Sequence, residues 1–135
     1  MKLNPYVHFQ GNAEEALNFY ANALGWEITT VQRYGDSPMP SDEDYKQKIM
    51  HGRLESGVNV IMISDVFKGQ QVSTNGNVQL SIDVEPTEDI ESIFKRMSEG
   101  GTVTMPLEKQ FWGAKFGMLK DKFGVNWMFN QQLNQ

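Results

Sequence analysis

Cysteine is absent from this sequence of 135 residues, and histidine is scarce, since only His8 and His51 occur. Without cysteine the protein has no disulfide bond, no thiolate nucleophile and no zinc site built on thiolates. Disulfides belong mainly to oxidising compartments. A cytoplasmic location is therefore the default expectation.

Long apolar runs and concentrated positive charge are also missing. No stretch of about 18 apolar residues occurs, so no segment is expected to span a bilayer. The first residues, MKLNPYVHFQGN, lack the apolar core of a signal peptide, so secretion is not expected. The net charge is −5 and the 12 basic residues are scattered, which argues against a nucleic-acid partner. Neither a membrane nor a nucleic acid is an expected partner.

Three common catalytic motifs do not occur either: the P-loop, G-x-S-x-G and H-E-x-x-H. What the chain does have is an ordinary globular composition, with 39% hydrophobic and 21% charged residues. A chain of this length is expected to build one domain.

The stretch 11-GNAEEALNFYANALGWEI-28 predicts a helix from Ala13 to Leu24. Asn12 is a favourable N-cap, and Glu15 three residues later completes a capping box. Apolar residues recur at helical spacing, and Gly25 follows where a left-handed C-cap favours glycine.

Strands are predicted around this helix and in the hairpin that follows it. A turn at Ser56-Gly57 would pair Glu55 with Val58 and place His51 directly opposite Met62 on one face of the sheet. The predicted strands of this half are Tyr6 to Phe9, Trp26 to Tyr34, Lys48 to Leu54 and Val58 to Ser64. The loops are residues 35–46, which carry the acidic run SDEDY, and Lys68 to Gly76.

The second half repeats this plan. Residues 77–83 alternate, so Val78, Leu80 and Ile82 are expected to pack on a helix while Asn77, Gln79 and Ser81 face the other way. Thr87 is the expected cap of that helix. Its stripe of Ile90, Ile93, Phe94 and Met97 matches Ala16, Phe19, Tyr20 and Ala23 at one constant offset. Further strands are predicted at Thr102 to Met105, Gly113 to Leu119 and Val125 to Asn130.

Two β-α-β-β-β modules in tandem follow from this repeat, at about residues 1–68 and 77–135. Placed edge to edge, two such modules enclose a half-open barrel with a cleft between their inner faces. The polar side chains on the inner face are difficult to explain as core. They indicate a wet or ligand-filled cavity.

Three patterns together, PYVHFQGNAEEALNFY, KIMHGRLESGVNVIMISD and FWGAKFGMLKDKFGVNW, carry a resemblance to a known family. The sequence resembles the PhnB-like family of the vicinal oxygen chelate superfamily, which also includes glyoxalases, bleomycin-resistance proteins and dioxygenases. The resemblance covers nearly the whole chain. It implies an α+β fold, with residues 1–135 forming one domain of two tandem βαβββ modules.

The resemblance also implies where a metal would be held. The superfamily binds a divalent metal through His and Glu side chains from four strands, and a chelating substrate completes the coordination. In this sequence those positions fall on Pro5, Met62, Asn77 and Met128. Proline has no donor side chain and methionine is a soft ligand. No bound metal and no cofactor are therefore expected, and glyoxalase I activity is disfavoured.

Several residues are candidates for a ligand site without metal. His51 is expected to act as an acid/base or hydrogen-bonding group, although a sheet histidine with a local partner is the alternative. His8 faces the cleft if the strand is assigned by hydrophobicity, and the helix if it is aligned on the superfamily. Trp112 and Phe116 suit an aromatic wall, or equally core or dimer packing. The remaining expected ligand-binding residues are Met62, Asn77, Gln79 and Met128.

Other conspicuous residues have structural interpretations. Asp121 and Gly124 are expected to shape a turn, and Trp127 to lie on the helix side of its strand. Asp65 is expected to end its strand through an Asx-type bond, with the cleft entrance as the alternative. The run SDEDY is expected to be a solvated loop, or else a lid that favours cationic ligands.

Function remains open between classes. The first hypothesis is a protein that binds a small molecule in the cleft between its modules without metal. The alternatives are a lyase or isomerase that uses His51, or a member that depends on a divalent metal held by atypical ligands. Some family members are called demethylubiquinone methyltransferases, but no glycine-rich turn between a strand and a helix supports methyl-donor binding. A homodimer is expected, as in many members of the superfamily.

Overall fold

A computed structural model describes residues 2–73 and 77–133. The chain divides into two compact units, Met1–Ser73 and Thr74–Gln135. The first unit contains β1 (Tyr6–Phe9), α1 (Ala13–Leu24), β2 (Glu27–Arg33), β3 (Ile49–Ser56) and β4 (Asn59–Asp65). The second contains β5 (Leu80–Asp83), α2 (Ile90–Ser98), β6 (Thr102–Lys109), β7 (Ala114–Lys120) and β8 (Asn126–Gln132). The predicted pair of βαβββ modules is confirmed.

The first helix has the predicted bounds but a different cap. Asn12 makes no side-chain capping bond. Instead Oδ1 of Asp65 accepts from the backbone N–H of Ala13 at 2.9 Å, so a residue distant in sequence satisfies the first turn. Gly25 takes the left-handed conformation at φ 73°, as predicted for the C-cap. The predicted capping box at Asn12 and Glu15 was wrong at Asn12, because a buried carboxylate takes the place of the local cap.

The first sheet has the strand order β1-β4-β3-β2. β1 runs parallel to β4, and the other pairs are antiparallel. One face packs on α1, with Leu17 and Tyr20 of the helix buried against Leu54, Ile61 and Ile63 of the sheet.

The hairpin between β3 and β4 differs from the prediction by a shift of two residues in pairing. Ser56 pairs with Asn59 and Glu55 with Val60, so the turn is Gly57-Val58 and not Ser56-Gly57. Gly57 has φ +57°, as the first central residue of a type II′ turn requires, and only glycine takes that angle without strain. His51 is therefore not directly opposite Met62. An even shift keeps the same parity, so both side chains still share one face.

The second sheet has the strand order β5-β8-β7-β6 and repeats the topology of the first. The buried residues of α2 are the predicted stripe, Ile90, Ile93, Phe94 and Met97. Its N-cap is Asp89, whose side chain accepts from the N–H of Ser92, and not Thr87. The cap lies next to Ile90, which is where the buried stripe begins.

All four strands of this sheet differ from their predicted bounds, and β5 and β6 differ most. β5 begins at Leu80, so Asn77 and Gln79 precede the strand, and Val78 is 72% exposed and does not pack on the helix. β6 continues past Pro106 to Lys109. A proline is tolerated there because β6 is an edge strand with irregular pairing to β7.

The long loops hold little regular structure. Residues 34–36 and 43–45 form short 3₁₀ turns, at the start of the loop predicted at residues 35–46 and within it. The predicted loop from Lys68 extends over Thr74 to Gly76, which lie outside the described residues. No helix in the described part of the chain has the length and hydropathy that a membrane span needs.

Candidate functional site

The helix-free face of the first sheet carries most of the first unit's predicted site residues. Gly52 marks the opposite face, which packs on α1, because a Cβ added to Gly52 would lie 2.7 Å from Cδ1 of Leu17 on that helix. Gly52 pairs with Ile63, and Ile63 with Val7, so these positions face the helix. Side chains of the opposite parity face away from it. They are Tyr6, His8, His51, Arg53, Met62 and Ser64.

Tyr6 connects the two histidines of the chain. Its hydroxyl lies 3.0 Å from Nδ1 of His51, and the two ring centroids are 5.7 Å apart. On its other side the Tyr6 ring stacks on His8, with centroids 4.7 Å apart and planes 6° from parallel. Tyr6 is 41% exposed, so this face of aromatic and imidazole rings is open to solvent. We call Tyr6, His8 and His51 the ring cluster.

The orientation of His8 resolves the two readings of β1. Val7 pairs with Ile63 on the helix side, whereas His8 pairs with Ser64. Nδ1 of His8 lies 2.9 Å from the Ser64 hydroxyl, and Ser64 is buried. The assignment by hydrophobicity was correct, and the alignment on the superfamily, which turned Val7 and Phe9 from the helix, was wrong.

Met62 lies opposite Arg53 and not opposite His51. Nε of Arg53 is 3.4 Å from a Glu55 carboxylate oxygen, which also accepts a short bond from the Thr29 hydroxyl. The Thr29 hydroxyl and then Arg53 lower the pKa of Glu55. The charges of Arg53 and Glu55 are thus paired with each other, and Met62 lies beside them as an apolar, polarisable side chain.

Sequence reasoning missed Tyr6 and Ser64, which complete the hydrogen bonds of both histidines. Strand periodicity contains part of the signal, because Tyr6 and His8 are two residues apart and must share a face. Ser64 and His8 become neighbours only through the parallel pairing of β1 with β4. A single sequence does not reveal that register.

In the second unit the predicted residues fall into separate groups. Met128 pairs with Ser81 and Met118, and Phe116 pairs with Asn130. Gly117 faces α2, because a Cβ there would contact Phe94, so Phe116 and Met118 face away from the helix. Asn77 and Gln79 are exposed and lie before β5, so the strand does not fix their direction.

Trp112 belongs to an exposed aromatic group. Its ring lies 5.9 Å from Phe116 and 5.0 Å from Phe111, in edge-on arrangements. Trp112 is 48% and Phe111 97% exposed. Within the second unit these rings are therefore not core residues, which removes one of the alternatives for Trp112.

The two buried aspartates have structural roles. Asp65 accepts from the N–H groups of Gly11, Ala13 and Ile49 at 2.8–2.9 Å. Asp121 accepts from the N–H groups of Phe123 and Val125 and from Nε1 of Trp127. The turn role of Asp121 and the buried position of Trp127 are confirmed. Asp65 is structural as expected, although it binds loop and strand amides and not a local Asx turn.

The residues at the superfamily's metal positions do not fit a divalent metal. Pro5 has no donor, Met62 and Met128 offer soft thioethers, and Asn77 lies outside a strand. Over residues 2–73 and 77–133 no three His, Asp or Glu side chains converge as a metal-binding group. The ring cluster brings together two imidazoles with no carboxylate ligand among its members. Metal chemistry at these positions is therefore not part of the function proposed below.

Comparison with known proteins assigns the chain to a family. Residues 1–130 match the family model described as 3-demethylubiquinone-9 3-methyltransferase, which is the PhnB family. The chain belongs to this family. The resemblance to PhnB-like proteins is thus confirmed.

Solved structures of similar proteins agree with this assignment. Protein PA1353 from Pseudomonas aeruginosa is 38% identical, with 99% of each chain covered and a TM-score of 0.89. The PhnB protein from Bacillus cereus is 28% identical, with 97% of this chain and 99% of that chain covered and a TM-score of 0.79. A glyoxalase family protein from Bacillus cereus, 13% identical with a TM-score of 0.73 over 99% and 97% of the two chains, shows the shared fold alone.

Proposed function

We propose that this PhnB family protein binds a small molecule on the helix-free face of its first sheet, without a metal at the superfamily positions. The observation that carries the proposal is the ring cluster, in which Tyr6 stacks on His8 and its hydroxyl meets Nδ1 of His51. Aromatic and imidazole rings open to solvent combine apolar surface with directed hydrogen bonds. Ligand sites in proteins use this combination.

The chemistry of the cluster selects a class of ligand. The Tyr6 and His8 rings are stacked, and this favours a flat molecule that continues the stack on an outer ring face. His51 and the Tyr6 hydroxyl can each donate or accept a hydrogen bond, and Met62 adapts to an apolar edge. The proposed ligand is therefore a planar, polar metabolite. The participation of Asn77, Gln79, Trp112, Phe116 and Met128 stays a prediction.

Acid/base catalysis by His51 is the second candidate, and one observation favours it. The Tyr6 hydroxyl at Nδ1 orients the imidazole and directs Nε2 away from that bond. A histidine held in this way can exchange a proton with a bound substrate, as a lyase or isomerase requires. If His51 is an acid/base catalyst, His51→Asn should still bind the substrate but should no longer convert it to product.

Methyl transfer, which the descriptive name of the family suggests, is not proposed. The turn from β1 to α1 contains Gly11 as its only glycine, and the turn from β5 to α2, residues 84–89, contains none. Methyl donors of the nucleoside type are held by glycine-rich turns between a strand and a helix. The backbone of this chain does not provide one.

Capture of small molecules tests the binding proposal. Immobilised wild-type protein is exposed to a low-molecular-mass bacterial extract, and the retained molecules are identified by mass spectrometry. We expect a planar polar molecule that wild type retains and that both Tyr6→Phe and His51→Asn retain less, by about tenfold. Asn59→Ala is the matched control, because it removes an exposed polar side chain of the same unit that lies outside the ring cluster. Equal retention by all four proteins would refute the site.

Two further measurements check the rest of the proposal. Elemental analysis should find no stoichiometric Zn, Ni, Mn or Fe, and one metal per chain that disappears on mutating His8 or His51 would overturn this expectation. The sequence-based prediction for Trp112 is tested separately: a captured ligand should quench tryptophan emission, and Trp112→Ala should weaken its binding by about 1–3 kcal/mol. The cytoplasmic location expected from the sequence is untested and stays a prediction.

A further inference from the structure

A cavity of about 280 Å³ lies in the first unit, between the β2–β3 loop and the segment after β4. Its volume is just below the lower limit of about 300 Å³ for small-molecule pockets. It shares no residue with the ring cluster. Its lining includes the aromatic Tyr34, Tyr45 and Phe67, the thioethers of Met39 and Met50, and Lys68 beside Asp42.

Three aromatic rings form one corner of this cavity. The Tyr34 ring lies between the other two, with its centroid 5.2 Å from Tyr45 and 5.9 Å from Phe67, at angles of 56° and 58°. The Tyr34 hydroxyl donates to the backbone oxygen of Asp65 at 2.7 Å, and the Tyr45 hydroxyl donates to that of Val66. Both hydroxyls are thus held by the main chain, and the rings keep a fixed mutual angle.

The charged residues of the lining and their partner sum to a negative value. Nζ of Lys68 lies 2.9 Å from the carboxylate of Asp44, which is outside the lining, and 3.1 Å from that of Asp42, which is part of it. Two carboxylates around one ammonium leave this group with a net charge of −1. The neighbouring pair of Lys46 and Glu43 adds none, because its charges cancel. A cationic ligand is favoured over an anionic one.

We propose that this cavity is a second binding site, which takes a small organic cation with an alkylated ammonium group. Tilted aromatic rings attract such cations through their negative faces, and quaternary ammonium groups are bound by aromatic cages of this kind. The thioethers of Met39 and Met50 accommodate the methyl groups of the ligand. Lys68 sets the affinity, because it cancels one of the two carboxylate charges.

Choline and 3,3-dimethylbutan-1-ol are suitable probes, because they differ only in the charged nitrogen and the neutral carbon that replaces it. Binding is followed through the methyl signals of Met39 and Met50 in proton–carbon NMR spectra, at probe concentrations up to about 50 mM. We expect choline to shift both signals saturably and the neutral alcohol to bind at least about threefold more weakly. No saturable shift with choline, or equal affinity for the two probes, would overturn the proposal.

Substitutions in the cavity lining should change the affinity for choline in opposite directions. Phe67→Ala and Asp42→Asn should each weaken choline binding by about three- to fivefold, whereas Lys68→Gln should strengthen it by a similar factor. Phe67 is 53% exposed, so its truncation leaves the core intact. Phe111→Ala is the matched control, since Phe111 is 97% exposed in the second unit. Unchanged affinity in Phe67→Ala, or weaker binding in Lys68→Gln, would contradict the site.

Discussion

Single buried carboxylates join the loops and strands of each unit. Asp65 binds the N–H groups of Gly11 and Ala13 with one oxygen and that of Ile49 with the other. It thereby links the end of β4 to the start of α1 and to the start of β3. Charged acceptors of this kind contribute more than neutral hydrogen bonds, and their loss leaves buried donors unsatisfied.

Replacement of Asp65 by Ala should therefore cost about 3 kcal/mol or more of the free energy of unfolding. Asp83→Ala is the matched control, because Asp83 is exposed at the end of β5, and we expect a change within about 0.5 kcal/mol. Urea unfolding followed by circular dichroism measures both. Similar small losses in the two variants would show that Asp65 does not hold these elements together.

Tyr34 should make the protein sensitive to alkaline pH. Burial, followed by the charge of Asp65, raises its pKa above the ordinary value of 10.0. Above that value the unfolded chain releases the tyrosine proton while the folded chain keeps it, so stability falls as pH rises. Tyr34→Phe loses the hydrogen bond to the backbone oxygen of Asp65, which lowers the free energy of unfolding by about 1 kcal/mol at neutral pH. The phenylalanine has no hydroxyl to ionise, so this contribution to the loss of stability at alkaline pH is absent from the variant. The stability gap between wild type and variant should narrow above pH 10, and a constant gap would contradict the account.

At this scale the sequence identifies candidate side chains better than their partners. His51 and Met62 were predicted on one face, and the periodicity of their strands explains that success. The direction of His8 was left open between two alternatives. The roles of Tyr6 and Asp65 depend on neighbours from other elements. His51 is 45 residues from Tyr6, and the amides that Asp65 binds are 16 to 54 residues away. Such pairs need the sheet register, which local patterns do not contain.

At the scale of elements, two glycines allow each helix to lie close to its sheet. A Cβ on Gly52 would lie 2.7 Å from the tip of Leu17, which can move. A Cβ on Gly117 would lie 2.9 Å from the Phe94 ring and 3.0 Å from the backbone Cα of Leu107. The second contact is the harder one to relieve, because backbone shifts less than a side-chain end.

Gly117→Ala should accordingly destabilise the protein by about 2–3 kcal/mol, and Gly52→Ala by less. Thermal or urea unfolding gives the order of the two. In the double variant with Leu17→Ala, the extra cost of Gly52→Ala should disappear, because the shorter side chain leaves room for the new methyl group. Additive losses in that double variant would exclude Leu17 as the obstacle.

The elements themselves were largely predictable, and the errors lie at their ends. Both helices were located from their apolar stripes, and α1 was predicted with its exact bounds. The hairpin turn was misplaced because a glycine at either central position is compatible with a short turn. The predicted end of β6 at Met105, directly before Pro106, was wrong, because an edge strand tolerates a proline and only the sheet order shows that β6 lies at an edge.

At the scale of the whole molecule, the assembly stays a prediction. Each sheet ends in two edge strands, β1 and β2 in the first unit and β5 and β6 in the second. Strand edges without a partner in their own sheet, and exposed aromatics such as Phe111 and Trp112, favour a second chain that covers them. We expect a homodimer at micromolar concentration. Sedimentation equilibrium that gives the 15.4 kDa mass of one chain would refute it.

The most direct test of the proposed binding site uses the scarcity of histidine. The chain has only two histidines, so a long-range proton–nitrogen NMR spectrum contains two ring systems, which one His8→Gln variant assigns. On addition of the molecule captured by wild-type protein, the ring nitrogens of both His8 and His51 should shift, and saturate together with binding. Saturable binding that leaves all four ring nitrogens unmoved would contradict the account, because the ligand would then lie away from the ring cluster.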